Sequence, residues 1–257
     1  VKANLRSLLV WGFIVVLFVT IGISKFSAYE DNPDMLAILD DLPPVVLNAF
    51  NMQAFNLTTL SGFFGVMFTY FALLLGIAAA MWGSDIISKE ERDKTVEFSL
   101  TLPITRGRMV TAKSLAALVN CTGLLLITWG ASLVSARQYQ PDGDFYRYLS
   151  LSMLALFILQ LVFLAVGIFL GCAMKRYRRA SSLAVSLLLG TYFLSILSGL
   201  NENLEFLKYF SPFRYFDPGV LLHESRIEMN FVFLSAAIVA ASIFGAYLTY
   251  SRRDLYI

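Results

Sequence analysis

Six windows of this sequence contain no Asp, Glu, Lys, Arg or His, and each is long enough to cross a bilayer as a helix. They cover residues 7–24, 58–84, 114–136, 148–174, 180–200 and 229–251. A hydrocarbon core about 30 Å thick needs roughly 20 consecutive apolar residues in a helix, because in lipid every backbone N–H and C=O must be satisfied within the segment. Composition agrees, with 58% apolar residues, 15% charged residues and a mean hydropathy of +0.69; soluble domains sit near 45–50% apolar and 25% charged. The sequence predicts an all-α integral membrane protein, a single transmembrane domain over 1–257 with six spans. The first window is too long for a secretory signal core and lacks a small-residue cleavage site, so it reads as a retained helix.

Basic residues collect on the cytoplasmic side of membrane proteins. With the N-terminus inside, fourteen of the twenty Lys and Arg residues fall on the inner face and only six of the eighteen Asp and Glu residues join them. The inner face then carries +8 and the outer face −6, a strong asymmetry behind a net charge of +2. Both termini are expected in the cytoplasm of a cell membrane, in a chain of bacterial character. The basic residues flank spans and form no patch for phosphates, so nucleic acid is not an expected partner. Cys121 and Cys172 lie at different depths of different spans, which argues against a disulfide or a metal site.

The connections differ in length. The inner loop 85–113 is the most charged stretch. The short connections 137–147 and 175–179 make their flanking helices antiparallel neighbours. The outer segment 25–57 reads as two short amphipathic helices, one capped by Asp34 and carrying Leu36, Leu39 and Leu42, the other opened by Pro43 and Pro44 and carrying Val45, Val46, Leu47 and Phe50. It serves either as a surface cap on helix ends or as a gate. Outer segment 201–228 holds Phe206, Tyr209, Phe210, Phe213, Tyr215 and Phe216, and Pro212 and Pro218 forbid one continuous helix. It is either an interfacial aromatic belt or a re-entrant helical hairpin plugging a pathway.

Intramembrane proteolysis or ion-coupled transport needs ionisable groups at membrane depth, and the six windows hold none. His223, the one histidine, sits in the outer aromatic segment as an ordinary surface residue. No G-x-x-x-x-G-K-[ST] phosphate loop is present. The chain is thus not expected to be an enzyme or to bind a cofactor itself; it reads as a passive membrane subunit or one driven by a partner.

The inner loop separates these two. From Ser84 to Arg106 it runs SDIISKEERDKTVEFSLTLPITR. Ser88 and Glu91 have capping-box spacing, residues 95–102 can form about two helical turns, Pro103 ends them, and Thr105 is placed to cap the next helix. This stretch closely resembles the inner loop of permeases of the ABC type-2 exporter family, whose pattern is I-S-x-E-x-E-x-G-T-x-E-F-L-L-x-L-P-[IV]-[ST]-R. Ile87, Ser88, Glu90, Thr95, Glu97, Phe98, Leu100, Leu102, Pro103, Ile104, Thr105 and Arg106 match it. Arg92 replaces a usual Glu, Lys94 the usual Gly and Ser99 a usual Leu, and Lys94 leaves the start of the short cytoplasmic helix open. The start of the chain through Trp11, the outer segment around Pro43 and Asn48 to Phe50, and the stretch Tyr250 to Leu255 are similar to the family as well, in its small six-span kind. Within that kind it is similar to amphipathic peptide toxin exporters.

The resemblance implies a permease working as a dimer with a second copy or a paralogue, bound to two cytoplasmic ABC ATPase subunits that hold ATP and magnesium, and surrounded by membrane lipid. It implies that a coupling helix between spans 2 and 3 fits a cleft in the ATPase, with Glu90, Glu91, Lys94, Thr95, Glu97, Phe98, Leu100, Leu102, Pro103 and Arg106 as coupling residues. Spans 2 and 5 line the pathway in such exporters, which points to Phe64, Met67, Phe68, Phe71, Tyr192 and Phe193. An uncharged aromatic lining suits an apolar or amphipathic cargo such as a peptide, lipid or drug, although aromatics in membrane helices also face lipid or neighbouring helices. The expected function is export powered by a separate ATPase. A non-transporting sensor or immunity subunit with the same coupling loop is the alternative, and a secondary transporter is disfavoured by the uncharged spans. The spacings Gly76/Ala80 and Gly167/Gly171 read as close packing within the bundle.

Overall fold

The computed structural model describes residues 4–30, 32, 47, 55–92, 105–174, 177–200 and 202–251. Among them are six helices long and apolar enough to cross a membrane, and no strand. These are α1 (Leu5–Ser24), α2 (Leu60–Arg92), α3 (Arg106–Ala136), α4 (Gly143–Ala173), α5 (Tyr177–Leu200) and α6 (Met229–Ser251). Each contains one of the six uncharged windows apart from an edge residue or two.

Local chemistry sets several of the ends. Thr105, in an extended conformation, accepts a hydrogen bond from the Arg108 N–H at 3.4 Å and starts α3, as its position predicts. Asp142 caps α4 through the Phe145 N–H at 2.8 Å. Gln140, with φ of 46°, makes the left-handed turn that lets α3 and α4 pack as neighbours across a short connection. One expectation fails. Ser88 does not stand at a helix start, because α2 runs unbroken to Arg92 and Ser88 lies inside it. A capping residue needs a helix start at its own position, and the stretch 84–88 lies within a helix that has already begun.

The bundle is layered around α2 and α4. About 67% of the apolar window of each is buried, against 22% for α1 and 17% for both α5 and α6. The two central helices run side by side and make the most extensive helix–helix contact among the described residues. Gly83 and Gly167 make this possible. A Cβ on Gly167 would stand 2.5 Å from the Ala80 carbonyl oxygen, 3.1 Å from the Ser84 nitrogen and 3.2 Å from the Gly83 Cα. The two backbones therefore touch, which is how helices gain association energy in lipid, where no hydrophobic force drives them together. Gly167 packs inside the bundle, as the small-residue spacing implied. Elsewhere α3 lies against α1, α5 against α2, and α6 against α4; the Trp82 indole donates to Ser7 Oγ at 2.8 Å and joins α2 to α1.

Of the segment between α1 and α2, residues 25–28 form a single 3₁₀ turn. The expected helices around Asp34, Leu36, Leu39, Leu42, Pro43, Pro44, Val45, Val46 and Phe50 lie outside the described residues.

Candidate functional site

Two ends of the bundle carry chemistry. At the basic end, where α2 stops and α3 starts, Glu90 and Glu91 occupy the last turns of α2 and Arg106 is the first residue of α3. Lys94, Thr95, Glu97, Phe98, Leu100, Leu102 and Pro103 lie outside the described residues. The start of α3 is clasped to the last turn of α6. Arg106 Nη1 donates to the Ser251 carbonyl at 3.3 Å, the Thr111 and Tyr247 hydroxyls lie 2.7 Å apart, and the Tyr250 hydroxyl meets Met109 Sδ at 3.2 Å. Three contacts over two turns of α3 join the segment leaving the charged loop to α6 as well as to α3 itself.

At the opposite, acidic end the chain between α5 and α6 folds back into the bundle. Residues Glu202–Phe210 form a 3₁₀ stretch packed along α5, followed by short helices Pro212–Tyr215 and Pro218–His223. Each begins with a proline in its first turn, the position where a missing N–H costs nothing. Ser211 Oγ donates to the Thr191 carbonyl at 2.7 Å. Thr191 lies nine residues before the end of α5, so at 1.5 Å per residue the turn reaches about 14 Å below that end. The second half of the aromatic segment thus folds back along α5, a geometry that the re-entrant reading requires. The Phe213 ring packs on Phe163 and Tyr192, both at 5.4 Å, and Tyr215 stacks on Phe231 at 5.1 Å with planes 7° apart. Phe206, Tyr209 and Phe210 in the first half stay exposed, as a belt requires.

This fold-back alters the charge map drawn from the six windows. It carries Arg214 and Asp217 into the bundle, although both lie outside every span in sequence. Arg214 Nε donates to the Ser195 carbonyl and to Ser198 Oγ, both at 3.1 Å, and Nη1 stands 3.5 Å from Asp217 Oδ2. Asp217 Oδ1 caps the following short helix through Gly219 N–H at 2.7 Å and Val220 N–H at 3.4 Å. Ser195 is five residues from the end of α5, which puts the guanidinium about 8 Å below it.

Two cavities meet at this pair. The larger, of about 420 Å³, opens on the acidic end between the fold-back, the end of α5 and the start of α6. The smaller, of about 40 Å³, is lined by Phe68, Thr69 and Ala72 of α2 and Tyr192, Ser195 and Ile196 of α5. Arg214 and Asp217 line both and so form the partition between them. At the rim of the larger cavity Lys208 holds Glu205 at 2.6 Å, a bond that lowers the Glu205 carboxyl and raises the Lys208 ammonium from their ordinary pKa values.

Of the six aromatic and Met residues expected along a pathway, Phe68 and Tyr192 come together at the smaller cavity. Phe64 and Phe71 instead pack in the core, where Phe64 meets Phe71, Phe145 and Tyr148 and Phe71 meets Phe18 at 5.5–6.0 Å. Met67 lies against Gly22 of α1. Phe193 is 62% exposed on the outer side of α5. His223 is exposed, and Cys121 and Cys172 are buried.

Gly199 makes room for Arg214, since a Cβ there would overlap Nη2. The obstructing atom is the tip of a flexible side chain, so Gly199→Ala should leave thermal stability within about 0.5 kcal/mol, as for substitutions away from a rigid core. The guanidinium should nonetheless leave Ser195 and Ser198. A melting curve together with nitrogen-15 chemical shifts of the arginine side chains checks both halves.

Six apolar spanning helices, two of them buried at the centre and four around them, with a charged connection between the second and third, define a polytopic α-helical membrane subunit. A family model described as ABC-2 family transporter protein matches residues 1–255, and the chain belongs to this family. None of the curated proteins matches the chain. Its class is accordingly the membrane component of an ABC transporter, a permease that associates with ABC ATPases.

Proposed function

We propose that the chain is the permease subunit of an exporter in which a separate ATPase drives an apolar or amphipathic cargo across the cell membrane. The observation that carries this reading is the charged connection between α2 and α3, whose residues match the family's coupling pattern, set beside a clasp that ties its exit to α6. A stroke delivered at that connection moves α2 through its direct extension to Arg92, α3 through Arg106, and α6 through Tyr247 and Tyr250. Such a lever works if the ATPase makes different contacts in its two nucleotide states. ATP and magnesium bind in two ATPase subunits, and two permease copies, or one and a paralogue, complete the complex.

The basic end faces the cytoplasm in this reading, with both termini inside, and the acidic end with its fold-back faces out. Cysteines introduced at Asp142 and Asn203 should then react with an impermeant thiol reagent applied to whole cells, and one at Arg178 should not. The reverse pattern would invert the transporter.

Transport is tested by ATP-dependent cargo accumulation in sealed inverted vesicles containing the permease and its ATPase. Accumulation of an amphipathic peptide supports export, whereas binding without accumulation favours the sensor or immunity reading, which the same coupling connection also serves.

A further inference from the structure

Arg214 has more hydrogen-bonding capacity than its surroundings use. Among the described residues, Nε is fully engaged with α5, Nη1 reaches only a carboxylate 3.5 Å away, and Nη2 lies over Gly199 without an acceptor. Its side chain is 24% exposed, on a cavity of about 420 Å³, within the size range of small-molecule sites. The other cations at this cavity are committed. Lys208 sits on Glu205 at 2.6 Å and Arg226 on Glu224 at 2.5 Å. Glu228 is exposed at the rim, where water and salt screen it. The partner of Arg214 is itself divided, because Asp217 Oδ1 is held by two backbone N–H groups and only Oδ2 turns to the guanidinium. Phe216, Leu221 and Phe231, each almost wholly buried, touch the cavity beside Arg214, and the rest of its accessible lining is mostly polar.

We propose that this vestibule binds an amphipathic molecule carrying an anionic group, a carboxylate or a phosphate, with Arg214 as the residue that receives the anion. The planar guanidinium offers Nη1 and Nη2 as a two-pronged donor, the geometry that carboxylate and phosphate oxygens fit. Binding displaces Asp217 Oδ2 from Nη1 while Oδ1 keeps its cap, so the fold-back is not dismantled. Since Arg214 also lines the small cavity beside Phe68 and Tyr192, a molecule moving between α2 and α5 toward the acidic end meets this residue at the partition. The inference rests on the exporter reading for its direction of travel, but not for the site.

The test is equilibrium binding of three amphiphiles with one tail length to the purified full chain in lipid nanodiscs. N-lauroylglycine carries a carboxylate, dodecyl phosphate a phosphate, and N-lauroylglycinamide no charge. At least one anion should bind about tenfold tighter than the amide, as expected for charge-assisted hydrogen bonds; whichever is preferred separates a carboxylate-bearing cargo from a phosphorylated one. Arg214→Gln should abolish the preference and Gly199→Ala should reduce it by moving the guanidinium. Asp217→Asn should strengthen anion binding, because Asn keeps the cap and removes the competing charge. That last outcome distinguishes a binding residue from a merely structural pair, for which both substitutions would weaken the site. Equal affinity of the wild type for all three amphiphiles overturns the proposal, as does a preference that survives Arg214→Gln and Gly199→Ala, or anion binding weakened by Asp217→Asn. No ATPase or nucleotide enters the assay, so its result stands apart from the transport reading.

Discussion

Gly167→Val should cost the permease its assembled bundle. The position lies where α2 and α4 touch backbone to backbone, and the nearest atoms to a new side chain are the Ala80 carbonyl, the Ser84 nitrogen and the Gly83 Cα. None of these can rotate away as a side-chain tip can, so the two central helices must separate along their shared interface. Overpacking a core costs about 1–3 kcal/mol, and the upper end applies because main-chain atoms are the obstacle. Gly83→Val meets the same obstacle from the other helix, against the Leu164 carbonyl and the Ile168 nitrogen. Gly130→Ala is the control, with nothing within 4 Å of a new Cβ. The yield of monodisperse protein and its melting temperature should fall sharply for the two valine variants and hold for the alanine variant.

The second large effect is expected at the connection between α2 and α3. Glu97→Lys or Leu100→Asp should leave insertion and folding nearly intact, since both residues lie outside the six spans. Either should weaken ATPase docking and uncouple transport, because a reversed charge or an unpaired carboxylate buried at an interface costs about 2–5 kcal/mol. That is a factor of roughly 30 or more in affinity. The same kinds of change at Gln140, in the connection between α3 and α4, should have little effect on docking. Cargo-stimulated ATP hydrolysis by each variant complex reads the coupling, and full coupling in both Glu97→Lys and Leu100→Asp would reduce the connection to a tether.

Much of this architecture is legible in the sequence because lipid imposes a rule that one-dimensional counting can apply. A charge-free window of sufficient length has few alternatives to a spanning helix, and the Thr105 cap before α3 follows from chemistry within three residues. The failures arise where position along the chain stops reporting depth. Arg214 and Asp217 lie between two windows and so count as outer-surface charges in any span-based reading, yet the Ser211 bond to Thr191 draws their segment into the bundle. The only sequence hints were Pro212 and Pro218 amid six aromatics, which forbid a single helix without saying which way the chain turns. Ser88 fails for a related reason. Its spacing to Glu91 is right for a cap, but the helix it would begin has already started at Leu60. Phe64 and Phe71 show a third limit, because an aromatic stripe on a membrane helix is the same sequence signal whether it faces a pathway or, as here, the aromatic cluster with Phe18, Phe145 and Tyr148.

The central claim, that this permease is powered by a separate ATPase, is tested most directly by isolating the tagged full-length chain from its native membranes under mild detergent. An ABC ATPase should co-purify in stoichiometric amount and hydrolyse ATP, and it should be lost from the Glu97→Lys and Leu100→Asp preparations. Isolation of the chain without any ATPase, together with cargo flux driven by an imposed proton or sodium gradient, would contradict the account.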